Sequence, residues 1–220
     1  MLPRVKYLFF HTAAADIRNV DAAVIDRWHR ERGWKGIGYH YVIIDDRHDT
    51  KRDGEVELGR PEDEIGAHVL HMNSESLGIC CVGHGDRRDY TMAQKHSLIR
   101  LLAELSRRYK VSTENILGHR EVNRLVEDGR VGKDARTTKT CPGKRVDCDE
   151  IRRLVEAESA APAMAMVAAP GAFDAIKDAI SVLHRHETLL GNAREEWRRF
   201  AFHGEIRAIV EGDQPAPAPA

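Results

Sequence analysis

The sequence predicts an α/β domain, with a central mixed β-sheet flanked by helices, followed by a C-terminal helical hairpin. Two observations predict the domain: short apolar runs alternate with amphipathic helical patterns, and this alternation continues to about residue 157. A third observation, the change to an Ala/Pro-rich composition after that point, marks a boundary. We therefore expect the domain over residues 1–157, a linker over 158–171, helices over 172–212 and a disordered tail over 213–220.

Short apolar and β-branched runs predict the strands. The first, KYLFFH, ends on His11, and the run YHYVII over residues 39–44 is followed by a polar turn and EVELG, which predicts a hairpin. SLGICCVG suits a strand buried on both faces, in which Cys80 and Cys81 point to opposite sides and pack in the core. NILGH predicts a last strand that ends on His119.

Apolar periodicity and capping residues predict the helices. VDAAVIDRWHRERGW is typical of an amphipathic helix. Thr91 followed by Gln94 is a capping-box signature for a long helix that ends near Tyr109. Asp147 with Glu150 indicates the start of a last helix that ends just before the boundary at residue 157.

The composition excludes several classes of protein. Lys and Arg number 34 against 35 Asp and Glu, and this balance gives no electrostatic reason to expect a nucleic-acid partner. We expect no transmembrane segment, since no apolar run approaches about 18 residues. The N-terminal run YLFF is shorter than the roughly 7–15 residues of a signal-peptide core, so we expect synthesis in the cytoplasm without a signal peptide. Four cysteines in 220 residues do not suggest a disulfide framework, and Cys148 is expected to be a surface or semi-buried thiol.

Three residues together suggest a metal site. His11 and His119 each end a predicted strand, and ligand sites in α/β folds gather beyond the carboxyl ends of strands. Cys141, directly before Pro-Gly, lies in the loop downstream of His119. Two imidazoles and a thiolate suit Zn²⁺ better than Mg²⁺ or Ca²⁺, and three protein ligands leave a fourth position for water.

The residues alone leave simpler explanations open. A single histidine is more often a satisfied core or surface residue than a metal ligand. Tyr39 lies in a β-rich run, where an aromatic residue needs no function. Lys139, in a polar loop, is by default a solvated charge, and His40 and His29 show no pattern that indicates more than a structural role.

Five blocks of sequence, in order, carry a resemblance to a known family. The blocks are FFHTAA, IDRWHRERGWKGIGYHYVI, ELGRPEDEIGAHVLHMNSESLGICCVG, GHREVN and KTCPG. They resemble the zinc-dependent N-acetylmuramoyl-L-alanine amidases of the amidase-2 and peptidoglycan-recognition-protein family, in particular the short phage lysozyme-type amidases (endolysins). The resemblance spans residues 5 to about 157, and it implies an amidase-2-like fold for that domain.

The resemblance implies roles for individual residues. The family's zinc ligands fall on His11, His119 and Cys141, for one Zn²⁺ per chain. Its catalytic tyrosine falls on Tyr39 and its catalytic lysine on Lys139.

Two further positions match residues that line the family's substrate groove, namely His68 and Asn73. The interval between the second histidine and the cysteine is longer than in the shortest phage enzymes, which leaves the shape of one groove wall open.

The implied activity is hydrolysis of the amide bond between N-acetylmuramic acid and L-alanine of peptidoglycan, by a phage or prophage endolysin. Such an enzyme acts on the cell wall, in the periplasm, after the membrane is opened. A cytoplasmic amidase that recycles muropeptides and a non-catalytic peptidoglycan-binding module are the alternatives. The helices over residues 172–212 suggest self-association or docking on the catalytic domain.

Overall fold

The computed structural model describes residues 5–160. Residues 1–4 and 161–220 lie outside the described residues, and so do the helical region expected over 172–212, the tail and most of the linker. The self-association or docking expected of that region therefore stays a prediction.

Five strands and four α-helices make up the regular structure of residues 5–160. The strands are β1 (Tyr7–Thr12), β2 (Tyr41–Ile43), β3 (Val56–Leu58), β4 (Ser76–Cys81) and β5 (Ile116–Gly118). The helices are α1 (Ala22–Glu31), α2 (Met92–Tyr109), α3 (Val122–Glu127) and α4 (Cys148–Ala160). Short 3₁₀ turns lie at Asn73–Glu75, Thr113–Asn115, His119–Glu121 and Lys133–Ala135.

The strands form one mixed sheet in the order β3-β2-β4-β1-β5. β1 pairs in parallel with β4 and with β5, β2 pairs in parallel with β4, and only the edge strand β3 runs antiparallel, as the second arm of the expected hairpin. The carboxyl ends of β1, β2, β4 and β5 therefore lie along the same edge. A site built at that edge can collect residues from all four strands.

Side chains alternate across β1 and divide the core into two layers. Leu8 and Phe10 pack with α2 and α4 on one face, whereas Phe9 packs with α3 on the other. His11 follows Phe9 by two residues, so its side chain emerges on the α3 side at the carboxyl end of the strand. Cys80 and Cys81 divide between the two faces in the same way, as expected, and both are fully buried.

Helix α2 begins as the sequence predicts. The Thr91 hydroxyl accepts the Gln94 N–H at 3.0 Å, and the Gln94 side chain accepts the Thr91 N–H at 3.2 Å, which completes the capping box. Gln94 is buried, and its Nε2 donates to the carbonyls of Ile43 and Val82. The residue that starts the helix thus also ties it to the ends of β2 and β4.

Three boundaries differ from the expectation by a few residues. β2 begins at Tyr41, because residues 39–40 do not continue the regular hydrogen-bond ladder of the strand. Their carbonyls still accept the N–H groups of residues 59–60. β5 ends at Gly118, since His119 already begins a 3₁₀ turn. α4 continues to Ala160, so residues 158–160, expected in the linker, are helical.

The expectation for Cys148 was wrong. This thiol is 4% exposed and packs with the core cluster beneath α2 and α4. The side chain lies against the end of β5, where a Cβ added at Gly118 would approach its Sγ to 2.6 Å. The position at a helix start hides this burial, because the contact comes from a strand distant in the sequence.

Candidate active site

Strand register brings the two predicted histidines together. Phe10 of β1 pairs in parallel with Gly118 of β5. The residues that follow them, His11 and His119, therefore lie side by side. Their ring centroids are 5.0 Å apart and the rings meet edge to face at 77°. Both are buried, at 1% and 6% exposure. The hydroxyl of Tyr90 fixes the end of β1 by donating to the His11 carbonyl at 2.9 Å.

Cys141 completes a group of three possible metal ligands. Its Sγ lies 3.6 Å from Nδ1 of His11 and accepts the Thr12 N–H at 3.5 Å. One ligand atom each from His11, His119 and Cys141 lies within 4.8 Å of the others. Two imidazole nitrogens and one sulfur at this spacing are a donor set that suits Zn²⁺.

The loop that carries Cys141 packs tightly on the segment after β4. A Cβ added at Gly85 would lie 1.8 Å from the Pro142 carbonyl oxygen, so this approach of two backbones requires glycine. Asp86 then accepts the Thr140 hydroxyl at 2.7 Å and the Lys144 N–H at 2.8 Å. These contacts hold the loop on both sides of the cysteine.

Burial sets the protonation of the three candidate ligands. It lowers the pKa of His11 well below its usual value, with a further contribution from the charge of His119. Burial also lowers the pKa of His119 to about 4 and raises the pKa of the Cys141 thiol to about 11. At neutral pH the two imidazoles are therefore uncharged and can offer lone pairs, whereas the sulfur must lose a proton when it binds a metal.

Tyr39 lies beside the candidate ligands. Its ring centroid is 5.1 Å from that of His11, and its hydroxyl contacts the thiol of Cys80. Burial, with the neighbouring sulfurs of Cys80 and Cys141, raises the pKa of Tyr39 well above its usual value. The phenol therefore remains protonated and available as an O–H donor.

His29 packs against Tyr39, a role for which the sequence carries no functional motif. It is 6% exposed, its ring centroid lies 5.5 Å from that of Tyr39, and its Nδ1 accepts the Gly38 N–H at 2.9 Å. Its place on α1 next to Trp28 was the available signal, since that face of the helix is apolar.

Lys139 lies on the same loop as Cys141 and is exposed to solvent. Its positive charge adds to the burial that lowers the pKa of His11 and of His119, and it opposes the burial that raises the pKa of Cys141. The structure thus brings this cation close enough to act electrostatically on all three.

His68 and Asn73 lie behind the candidate ligands. His68 is 8% exposed, and its Nδ1 is 3.2 Å from Nε2 of His11, so one of these two nitrogens holds the shared proton. The Oδ1 of Asn73 accepts the N–H groups of His68 and Val69 and holds their turn. Contact with substrate stays a prediction for both residues. His40 is buried nearby and accepts the Gly78 N–H, which fits the structural role expected of it.

The long interval before the cysteine closes on itself at its base. The side-chain amide of Asn123 donates to the Thr137 carbonyl at 2.9 Å, and its Oδ1 accepts the Thr137 N–H at 2.9 Å. Between these residues Val131 and Ala135 pack on the α3 side of the core, whereas residues 127–130 are exposed. The segment between His119 and Cys141 is therefore held by hydrogen bonds at its base and by apolar packing of Val131 and Ala135.

Comparison with known proteins identifies the family. Residues 2–144 match the family described as N-acetylmuramoyl-L-alanine amidase. The chain belongs to this family. The endolysin of Escherichia phage T7 is 37% identical to it over 121 residues, which cover 52% of this chain and 74% of the endolysin. The endolysin of Klebsiella phage KP32 is 36% identical over 121 residues, with the same two coverages of 52% and 74%.

A solved structure supports the same assignment. The N-acetylmuramoyl-L-alanine amidase LysC from Clostridium intestinale URNW is 28% identical, with a TM-score of 0.55, and the match covers 70% of this chain and 86% of LysC. The predicted family, the α/β fold class of the domain and the enzyme class, an N-acetylmuramoyl-L-alanine amidase, are confirmed. Among the described residues, no helix is both long and apolar enough to span a membrane.

Proposed function

We propose that this amidase is zinc-dependent and hydrolyses the amide bond between N-acetylmuramic acid and L-alanine of peptidoglycan. One observation carries the zinc dependence: two uncharged imidazoles and a thiol, from His11, His119 and Cys141, meet at the carboxyl edge of the sheet. The set contains nitrogen and sulfur donors only, which favours Zn²⁺ over Mg²⁺ or Ca²⁺.

Two distances support a choice of ligand atom on His11. Nδ1 of His11 faces the sulfur, and Nε2 faces His68, so Nδ1 is the atom placed to bind the metal. In that arrangement the proton of His11 lies on Nε2 and is donated to Nδ1 of His68, 3.2 Å away, which would hold the orientation of the ring. When bound, zinc polarises the scissile carbonyl and activates water for attack near neutral pH.

Tyr39 and Lys139 would stabilise the negative charge that develops when the amide bond is attacked. Attack on the carbonyl produces an oxyanion, which is stabilised by a hydrogen-bond donor and by positive charge. The protonated phenol of Tyr39 is held next to His11, where it can donate to that oxygen. The ammonium group of Lys139 supplies positive charge near the same oxygen. Because Lys139 is exposed on its loop, the side chain is free to adjust its position when substrate binds.

We further propose that the enzyme is a phage or prophage endolysin whose substrate is the intact cell wall. The names of the relatives from phages T7 and KP32 support this role, since both are endolysins. Such an enzyme reaches the wall after the membrane is opened.

Zinc content and wall digestion test the proposal together. The wild type should bind one zinc per chain and release stem peptides from purified sacculi, and Cys141→Ala should lose both properties. Cys81→Ala is the matched control, because it removes a thiol from the opposite face of the sheet. A Cys141→Ala protein that keeps its zinc and its full activity would contradict zinc dependence. Activity confined to soluble muropeptides, with sacculi left intact, would instead favour a recycling enzyme.

A further inference from the structure

We propose that Arg120 is a positioning residue that fastens the loop of Cys141 to the turn of His119, and so sets the spacing between two metal ligands. The inference rests on the proposed zinc site. It concerns a residue that contacts none of the reacting groups and acts only through the backbone of the cysteine loop.

Arg120 meets that loop with both its backbone and its side chain. The backbone N–H donates to the Cys141 carbonyl at 2.7 Å. The guanidinium group donates through Nη1 to the Gly143 carbonyl at 2.6 Å and the Thr140 carbonyl at 3.3 Å, and through Nη2 to the Val146 carbonyl at 2.9 Å. Carbonyls from both sides of the cysteine thus converge on one residue.

This arrangement needs an arginine in particular. Three carbonyl oxygens of the loop face Arg120, and an acceptor that loses its donor where water has little access destabilises the loop. The planar guanidinium presents its N–H groups in a fixed fork and can reach three carbonyls at once, whereas a lysine ammonium is a compact point charge. Loss of the fork should therefore release the loop even where a positive charge is kept.

The next residue anchors the turn itself. Glu121 accepts the Gly118 N–H at 2.8 Å and two N–H groups of Arg152 on α4, at 2.7 and 2.9 Å. Three consecutive residues thus have three tasks: His119 faces the metal site, Arg120 grips the cysteine loop, and Glu121 holds the turn to the fold. The grip of Arg120 is therefore made from a fixed support.

Asp86 holds the same loop, but from the other side. It contacts Thr140 and Lys144 from the segment after β4. Arg120 belongs to the turn of His119, whereas Asp86 does not. A change at Arg120 should therefore alter the distance between His119 and Cys141, and a change at Asp86 should not act on the His119 turn.

The test measures zinc affinity and thiol exposure in the full chain. Arg120→Lys and Arg120→Gln should bind zinc about 10–100-fold more weakly in chelator competition, the range for outer partners of metal ligands. Arg124→Gln is the matched control, because Arg124 bonds to Glu121 from α3 and does not contact the loop. In metal-free protein, Arg120→Lys should also speed alkylation of Cys141, since the other three cysteines are buried and the lysine keeps the charge.

Several outcomes would decide the matter. Zinc affinities within twofold of the wild type in both variants, with an unchanged alkylation rate, would overturn the proposal. An affinity loss that Arg124→Gln shares, in step with a lower unfolding temperature, would also overturn it, because it would indicate a general loss of stability. If Arg120→Gln does not fold, Arg120→Lys carries the test. If the wild type binds no zinc, the proposed function fails, and the alkylation rates still show whether Arg120 holds the loop.

Discussion

The candidate ligands reach one point by two different routes. His11 and His119 are placed by strand register, at the ends of β1 and β5, and are almost fully buried. Cys141 lies in a half-buried loop whose position depends on hydrogen bonds to its backbone and on the close approach of Gly85. The histidine pair is thus part of the core, whereas the cysteine is attached to it. The two routes should respond differently to mutation.

The largest expected effect is the loss of zinc binding in His11→Ala and Cys141→Ala, and the two variants should differ in the stability of the metal-free protein. His11→Ala and Cys141→Ala should each weaken zinc binding by more than about 100-fold, beyond the usual loss for an outer partner. In metal-free protein, however, His11→Ala should lower the free energy of unfolding by about 1–3 kcal/mol, because it leaves a cavity and removes the partner of His68. Cys141→Ala should lower that free energy by no more than about 1 kcal/mol, since it removes one weak sulfur acceptor of the Thr12 N–H. Urea denaturation without metal measures both, and equal destabilisation by the two variants would refute the comparison.

The next effect concerns a residue on the strand side of the site. Tyr39→Phe should lower kcat by about 10²–10³-fold, equivalent to about 2.7–4 kcal/mol, because it removes an O–H donor for the oxyanion. Zinc affinity should not change, since the ring and its contact with His11 remain. Tyr7→Phe removes a hydroxyl from the opposite end of β1 and serves as the control. A loss of less than tenfold for Tyr39→Phe would exclude this role.

A smaller effect should follow from moving the loop alone. Gly85→Ala places a Cβ against the Pro142 carbonyl, so we expect zinc affinity to fall by about tenfold or more and the free energy of unfolding by about 1–3 kcal/mol. Gly132→Ala is the matched control, since its Cβ would meet only the carboxylate of Asp134, the end of a flexible side chain. Isothermal titration with zinc compares them, and equal affinities would show that the loop position tolerates displacement.

The smallest effect lies outside the site and depends on pH. Burial by itself raises the pKa of Glu62, but bonds from the Tyr109 and Tyr41 hydroxyls and from Arg108 outweigh it and lower the pKa. Because the pKa is lower in the folded state, the stabilisation is complete above the ordinary glutamate pKa of about 4.3 and is lost as pH falls further. Glu62→Gln should therefore lower the free energy of unfolding by about 1–2 kcal/mol at pH 7.

This difference between wild type and Glu62→Gln should shrink when denaturation is repeated below about pH 4. Zinc affinity at pH 7 should be the same in both proteins, because Glu62 contacts none of the candidate ligands. A gap that stays constant over the acid range would mean that the carboxylate charge is not what stabilises the fold.

Local chemistry explains which features could be predicted from the sequence. The capping box of Thr91 and Gln94 and the apolar face of α2 depend on residues close in the chain, and the structure confirms them. His11 and His119 could be paired in advance because parallel strands end at one edge of a sheet. Cys141 could be suggested as the third ligand from its place in the loop downstream of His119, and the family resemblance implied the same role.

Features that depend on distant contacts were not predictable. Arg120 reads as one more arginine in a polar stretch, and only the folded loop shows that its fork meets three carbonyls. Cys148 is buried because β5 approaches it, and His29 matters because Tyr39 packs on it. The contacts of Arg120 and Cys148 have no local sequence signal, and for His29 the signal was limited to its place on the apolar face of α1.

The hydrogen bonds between the Asn123 side chain and the Thr137 backbone make the position of the site independent of the length of the segment between these two residues. Since these two hydrogen bonds close the base, whatever happens beyond them need not reach Lys139 or Cys141. Lengthening a loop is inexpensive, at about 0.6 kcal/mol for each doubling. The exposed turn at Asp128 and Gly129 is therefore a position where evolution, or a designer grafting a wall-binding peptide, can add sequence without displacing Lys139 or Cys141.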